Sequence, residues 1–177
     1  MSNNIVYRIV RIVCLVAYAM VLPCSCIGEE DLIEEVVVVG DCLPDFEITM
    51  NDGTAMTGTM LRRVPSVIMF FHTSCPDCRQ TLPHMQRLYD KYVGRGVQFA
   101  LISREEGEAS VNAYWEENGF TMPYSAQDDR QVYELFAYRR VPRVYVSNAT
   151  GIVYHIFTDN PTPTDEALDE AVRDVLE

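Results

Sequence analysis

Apolar runs punctuated by turn residues organise this chain, and their periodicity changes along it. From Ile12 to Leu22 no residue is charged. That stretch of about 11 residues is too short to span a bilayer, which takes roughly 20. Phe46 to Met50 alternates with period two and meets Asn51-Asp52-Gly53, the pattern of a strand entering a hairpin. Residues 66–72 are apolar on both faces and read as a central strand. Residues 76–93 carry Leu82, Met85, Leu88, Tyr89 and Tyr92 at helical spacing and stop near Gly94 and Gly96. Val97 to Ser103 is a second buried strand. A helix over 107–118 closes at Asn118-Gly119, a short strand is expected over 122–126, and a third helix over 128–138. Arg143 to Ser147 and Ile152 to Thr158 flank Asn148-Ala149-Thr150-Gly151 as a second hairpin. Thr164 caps a last helix, Asp165 to Leu176, with acids in its first turn. Strands alternating with helices, then a closing hairpin and helix, predict an α/β fold. Its central mixed β-sheet is flanked by helices, with a β-hairpin near the N-terminus.

The segment before this domain has its own pattern. Arg8 and Arg11 precede the uncharged run, and Pro23, Cys24, Ser25 and Cys26 follow it. That is the order of a secretory signal. The Ser25-Cys26 junction resembles a bacterial lipobox, which makes Cys26 the candidate for lipidation. The expected division is a lipoprotein-type signal peptide over 1–25, an acidic linker over 26–39 and the folded domain over 40–177. The expected location is the periplasm, anchored to the outer membrane or cell surface through Cys26. The pattern does not decide whether Val36-Val37-Val38-Val39 is an edge strand or a spacer.

Composition narrows the classes of partner. The chain has 26 acidic and 14 basic residues, a net charge of −12, and no Lys/Arg cluster. Nucleic-acid binding, which needs basic surface against phosphates, is disfavoured. Of six cysteines, Cys14, Cys24 and Cys26 belong to the N-terminal segment, and Cys42, Cys75 and Cys78 to the domain. Three cysteines make one pair and a remainder, which is not a disulfide scaffold. Cys42 is expected to be buried and inert.

The pair is Cys75-Pro76-Asp77-Cys78, directly after the apolar run Val67 to Phe71 and at the head of the predicted helix. A helix N-terminus offers unpaired N–H groups and a positive dipole end, which favour a thiolate at Cys75. A thiolate is the species that attacks disulfides. Two intervening residues on a first helical turn bring the sulfurs within bonding distance. Pro76 suits the first helical position, where its missing N–H costs nothing. Asp77 places negative charge near both sulfurs, which opposes the thiolate and predicts a reducing couple. Half a zinc site is the competing reading. It needs two further ligands at comparable spacing, and His72, His84 and His155 do not supply a second such pair. No metal site and no cofactor is expected.

With these residues in view, the chain resembles the thioredoxin superfamily, and within it the exported TlpA-like thiol–disulfide oxidoreductases. Phe70-Phe71-His72-Thr73-Ser74-Cys75-Pro76-Asp77-Cys78-Arg79 is similar to their Phe-Trp-Ala-Thr-Trp-Cys-Pro-Pro-Cys-Arg. Gly40 to Phe46 resembles their entry motif, Pro83 their helix-kinking proline, and Val141-Pro142 their cis-proline. The resemblance covers roughly 40–177 and implies a thioredoxin-like fold. It also implies a redox-active Cys75–Cys78 disulfide, with Cys75 attacking and Cys78 resolving. A substrate peptide would lie against Val141 like an added strand. The implied partners are protein disulfides and a membrane dithiol that donates electrons. Three positions depart from the pattern: Ser74 replaces a common Trp, and Thr81 and Met69 stand where relatives carry acids. His72 beside the site is expected to pack rather than catalyse. Two other readings remain: a thiol peroxidase, or a non-catalytic module that binds partners or handles copper. Relatives of the peroxidase type carry Pro and Thr where Ile68 and His72 stand here, and copper-handling relatives space their cysteines by three.

Overall fold

The structure is a computed structural model that describes residues 35–177. The expected export signal, Cys26 and most of the linker lie outside the described residues. In chain order the elements are β1 (Glu47–Thr49), β2 (Ala55–Thr57), α1 (Gly58–Leu61), β3 (Ser66–Phe71), α2 (Pro76–Tyr92), β4 (Gln98–Ser103) and α3 (Glu108–Asn118). There follow β5 (Tyr124–Ser125), α4 (Gln131–Glu134), β6 (Arg143–Ser147), β7 (Val153–Phe157) and α5 (Asp165–Leu176).

β3 lies at the centre of a five-stranded sheet ordered β5-β4-β3-β6-β7, and every residue of it is buried. It runs parallel to β4 and antiparallel to β6, so the sheet is mixed. β1 and β2 form a separate antiparallel pair, whose turn sets Gly53 at φ 82°. Successive residues of β3 face opposite sides, as the pleat requires. Phe70 enters an aromatic cluster with Tyr133, Phe136 and Tyr145. Phe71 packs on Trp115 of α3, with ring centroids 5.1 Å apart. Each phenylalanine thus fastens one face of the sheet to a different covering segment.

Helix α2 buries Leu82, Met85, Leu88 and Tyr92, whereas Tyr89 is half-buried and meets Phe99 edge-on. α5 is fastened to α2 by ion pairs, Arg87 to Asp165 at 2.9 Å and Lys91 to Asp169.

Two expectations are corrected, and one open alternative is resolved. The helix expected over 128–138 is a single turn, Gln131–Glu134. Past it, Leu135 and Phe136 hydrogen-bond three residues back, and the Phe136 carbonyl is taken by the Val36 and Val37 N–H groups at 2.9 and 3.0 Å. A carbonyl committed to another segment cannot continue the ladder. The valine run is therefore neither a free spacer nor a paired strand. Glu35 bridges Ala137, Val37 is buried, and Val36, Val38 and Val39 are exposed. Cys42 is exposed, not buried. Its neighbour Leu43 takes the inward position, and alternation along an extended segment turns Cys42 outward.

Candidate dithiol site

The site forms where β3 hands over to α2. Four residues, His72 to Cys75, make the link, and the Cys75 N–H donates to the His72 carbonyl at 3.0 Å. Cys75 is the N-cap of α2, in extended conformation, with Pro76 at the first helical position and Asp77 in the first turn. Both cysteines carry free thiols. Cys75 is half-buried, and Cys78, inside the first turn, is fully buried. Burial pushes the Cys78 thiol well above its ordinary range, and the main-chain N–H of His72 offsets this only in part. The Cys75 thiol donates to the Val141 carbonyl at 3.3 Å, and the Val141–Pro142 bond is cis.

One lip of the site is the link itself. The Thr73 N–H donates to Glu106 Oε2 at 2.7 Å, and the hydroxyls of Thr73 and Ser110 donate to Oε1. Glu106 is only 6% exposed. His72 Nδ1 accepts from the Ser74 N–H at 3.1 Å and lies 3.5 Å from Glu106 Oε2. Arg79 donates from Nε to the Thr73 carbonyl and stacks its guanidinium over Tyr114. His72 thus orders the link through its ring nitrogen, a role beyond packing.

The other lip is the segment before Pro142. Four consecutive carbonyls in it accept hydrogen bonds from the fold. Tyr138 accepts from Arg130 Nη2 at 2.6 Å, Arg139 from Arg143 Nε at 2.8 Å, Arg140 from the Tyr133 hydroxyl at 2.6 Å, and Val141 from Cys75. Arg143 is fully buried in β6 and ion-paired with Glu35.

The structure brings Cys75, Pro76, Asp77, Cys78, Val141 and Pro142 together, and Cys26 is outside the described residues. Thr81 is buried and donates to the Asp77 carbonyl, and Met69 is buried in β3, so neither position carries an acid. Sequence reasoning missed Glu106, Tyr133 and Arg143. A signal for Glu106 existed. Parallel neighbours end side by side, so an acid three residues past β4 must lie close to whatever follows β3. No comparable signal marked Arg143, whose partner is 108 positions away.

Residues 39–156 match the model of the AhpC/TSA family. Among relatives, the thiol-disulfide oxidoreductase ResA of Geobacillus thermodenitrificans is 27% identical over 129 residues, covering 73% of this chain and 74% of that protein. The ResA of Oceanobacillus iheyensis is 25% identical over 158 residues, 87% of this chain and 81% of that one. Among solved structures, a thiol:disulfide interchange protein of the thioredoxin family from Chlorobium tepidum has a TM-score of 0.68 at 22% identity, covering 80% of this chain and 99% of its own. A secreted Mycobacterium tuberculosis disulfide oxidoreductase, homologous to DsbE of E. coli, has a TM-score of 0.64 at 18% identity, covering 73% and 95%. The structural likeness establishes a thioredoxin-like fold. Because the family match spans most of the domain, both lips included, the chain belongs to the AhpC/TSA family.

Proposed function

We propose that this protein is an extracytoplasmic thiol–disulfide oxidoreductase that reduces protein disulfides through Cys75 and Cys78. The observation that carries the reading is the inequality of two thiols one helical turn apart. Cys75 is half-buried at the helix start beside the Val141 carbonyl, while Cys78 is sealed and held protonated by burial. An accessible thiol attacks, and a shielded one waits.

In the proposed cycle the Cys75 thiolate attacks one sulfur of the substrate disulfide, and the other sulfur leaves as a thiolate. Cys78 then loses its proton and attacks the Cys75 sulfur of the mixed disulfide, which releases the second substrate thiol. Two electrons pass to the substrate, and the protein is left with a Cys75–Cys78 disulfide. A membrane dithiol returns it to the reduced form. The His72 N–H that faces Cys78 favours the thiolate this step requires. Pro142 leaves no N–H at its own position, so the Val141 backbone is the main-chain contact beside the sulfur.

The N-terminal pattern supports the setting. The n-region, apolar run and Ser25-Cys26 junction fit export with lipidation at Cys26. Among the described residues no helix is long and apolar enough to cross a membrane. The catalytic test is reduction of insulin disulfides by wild type and Cys75→Ser. Loss of turnover in the variant is expected, and equal rates defeat the assignment. Intact mass tests the anchor: a mature chain lacking diacylglycerol on Cys26 overturns it.

A further inference from the structure

Resolution of the mixed disulfide needs a thiolate at Cys78, inside the first turn of α2, and one cation of the fold stands ready for it. β3 and β4 end side by side, with Phe71 opposite Ser103. The next residue, Arg104, donates its main-chain N–H to the Phe71 carbonyl at 2.9 Å. The same peptide unit turns its other end, the His72 N–H, toward Cys78. The Arg104 backbone is therefore fixed one peptide plane from the buried thiol. Its guanidinium lies over the face of Tyr133, 5.3 Å from the ring centre. Its Nε is buried and meets no acceptor, and among the described residues no carboxylate pairs with it.

The other charged and titratable groups around the dithiol are committed elsewhere or carry the wrong sign. Glu105 holds φ 56° and gives its carboxylate to Arg130 at 3.0 Å. Glu106 is taken by Thr73 and Ser110, and the His72 ring by Ser74. Arg79 is spent on the Thr73 carbonyl and the Tyr114 ring. From α3, Tyr114 faces Cys78 with its phenol held protonated by burial. Asp77, in the first turn of α2, is an anion. Burial raises the Cys78 thiol and the Cys75 sulfur adds to this, while the His72 N–H and the Arg104 charge oppose it. A cation already in place costs no rearrangement when an anion forms beside it.

We propose that Arg104 is the standing countercharge for Cys78 in the resolving step, held at the ends of β3 and β4 so that the thiolate meets a cation as it forms. The inference rests on the reductase reading above and assigns a further residue of the same site. In the step Cys78 gives its proton to solvent, and its sulfur forms the Cys75–Cys78 bond. The bond from Cys75 to the substrate breaks, and its electron pair leaves on the substrate sulfur, which takes a proton from solvent. Arg104 exchanges neither proton nor electron.

The test uses the full chain with Cys14, Cys24, Cys26 and Cys42 replaced by Ser, so that only the dithiol reacts. The reduced protein is mixed with excess 2,2′-dithiodipyridine, an uncharged disulfide that releases a coloured thione. A first phase proportional to reagent concentration reports attack by Cys75. A second phase independent of concentration reports resolution by Cys78. Arg104→Gln should leave the first phase unchanged and slow the second about threefold at about pH 7. A rise of about one unit in the Cys78 pKa removes tenfold in thiolate, and the more basic sulfur regains about threefold in reactivity. Arg104→Met, which keeps an unbranched stem over Tyr133, should slow the second phase equally, and Arg104→Lys should restore it. Absence of the second phase in the parent protein defeats the dithiol reading itself and this inference with it. A parent rate in the Gln or Met variant, equal slowing of both phases, or a Lys variant as slow as Gln overturns the role of Arg104 and leaves the dithiol reading standing.

Discussion

The two lips of the site are held in opposite ways. The link before Cys75 hands N–H and O–H donors to a single buried carboxylate, Glu106. The segment before Pro142 hands its carbonyls to Arg130, Arg143 and Tyr133. One lip is fastened by a buried acid and the other mainly by bases, and between them the Cys75 thiol bridges to Val141. The difference shows how an irregular chain can be fixed at a reactive centre without regular secondary structure. Each lip satisfies one half of its backbone polarity on side chains brought by other elements. In the first lip the carbonyls are engaged as well, His72 by the Cys75 N–H and Thr73 by Arg79.

Removing the counter-charge of the second lip should have the largest effect. Glu35→Ala leaves the fully buried Arg143 guanidinium without an anion, and the cost should be about 3 kcal/mol. Urea unfolding measures it, and an unchanged midpoint would dissolve the contrast between acid-held and base-held lips. Next comes the first lip. Glu106→Ala strands one N–H and two hydroxyls and should cost about 2 kcal/mol. Glu106→Gln, which keeps one acceptor oxygen, should recover part of that loss together with insulin-reduction rate.

The space between the lips is probed by alkali. Folded Cys78 titrates above its ordinary value of 9.0, so above that pH the unfolded chain releases a proton that the folded chain retains. Stability of the reduced protein is therefore whole below about pH 9 and falls as pH rises, roughly tenfold in the folding equilibrium per unit. Tyr124 and Tyr145, also raised by burial, add to the loss above about pH 10. Oxidation of the pair should remove the Cys78 part alone, which urea midpoints at two alkaline pH values would reveal. The smallest effect belongs to Tyr133→Phe. It takes one donor from the Arg140 carbonyl and should cost about 1 kcal/mol, with insulin reduction slowed more than stability suggests.

Legibility in the sequence followed the range of the interactions. Local signals carried β3, the start of α2, the turn at Gly53 and the hairpin after Asn148, because apolar period, N-terminal proline and turn residues act within a few positions. The placement of Cys75 and Cys78 at the head of α2 was legible for the same reason. The short α4 was not, since its end depends on Val36 and Val37 capturing the Phe136 carbonyl from 100 residues away. Cys42 was misread because its type favours burial while its place beside Leu43 decides its direction. Glu106 and Arg143 were missed because a buried charge is defined by a distant partner, and no local period announces one.

Because the backbone before Pro142 is suspended from Arg130, Tyr133 and Arg143, none of which belongs to that segment, its outward side chains are decoupled from its shape. Tyr138 and Arg139 behave as an exchangeable facing on a fixed mount, whereas Arg140 holds φ 67° and is tied to Asp159. New side chains at those two positions should therefore leave the Val141 carbonyl in its place beside the Cys75 sulfur.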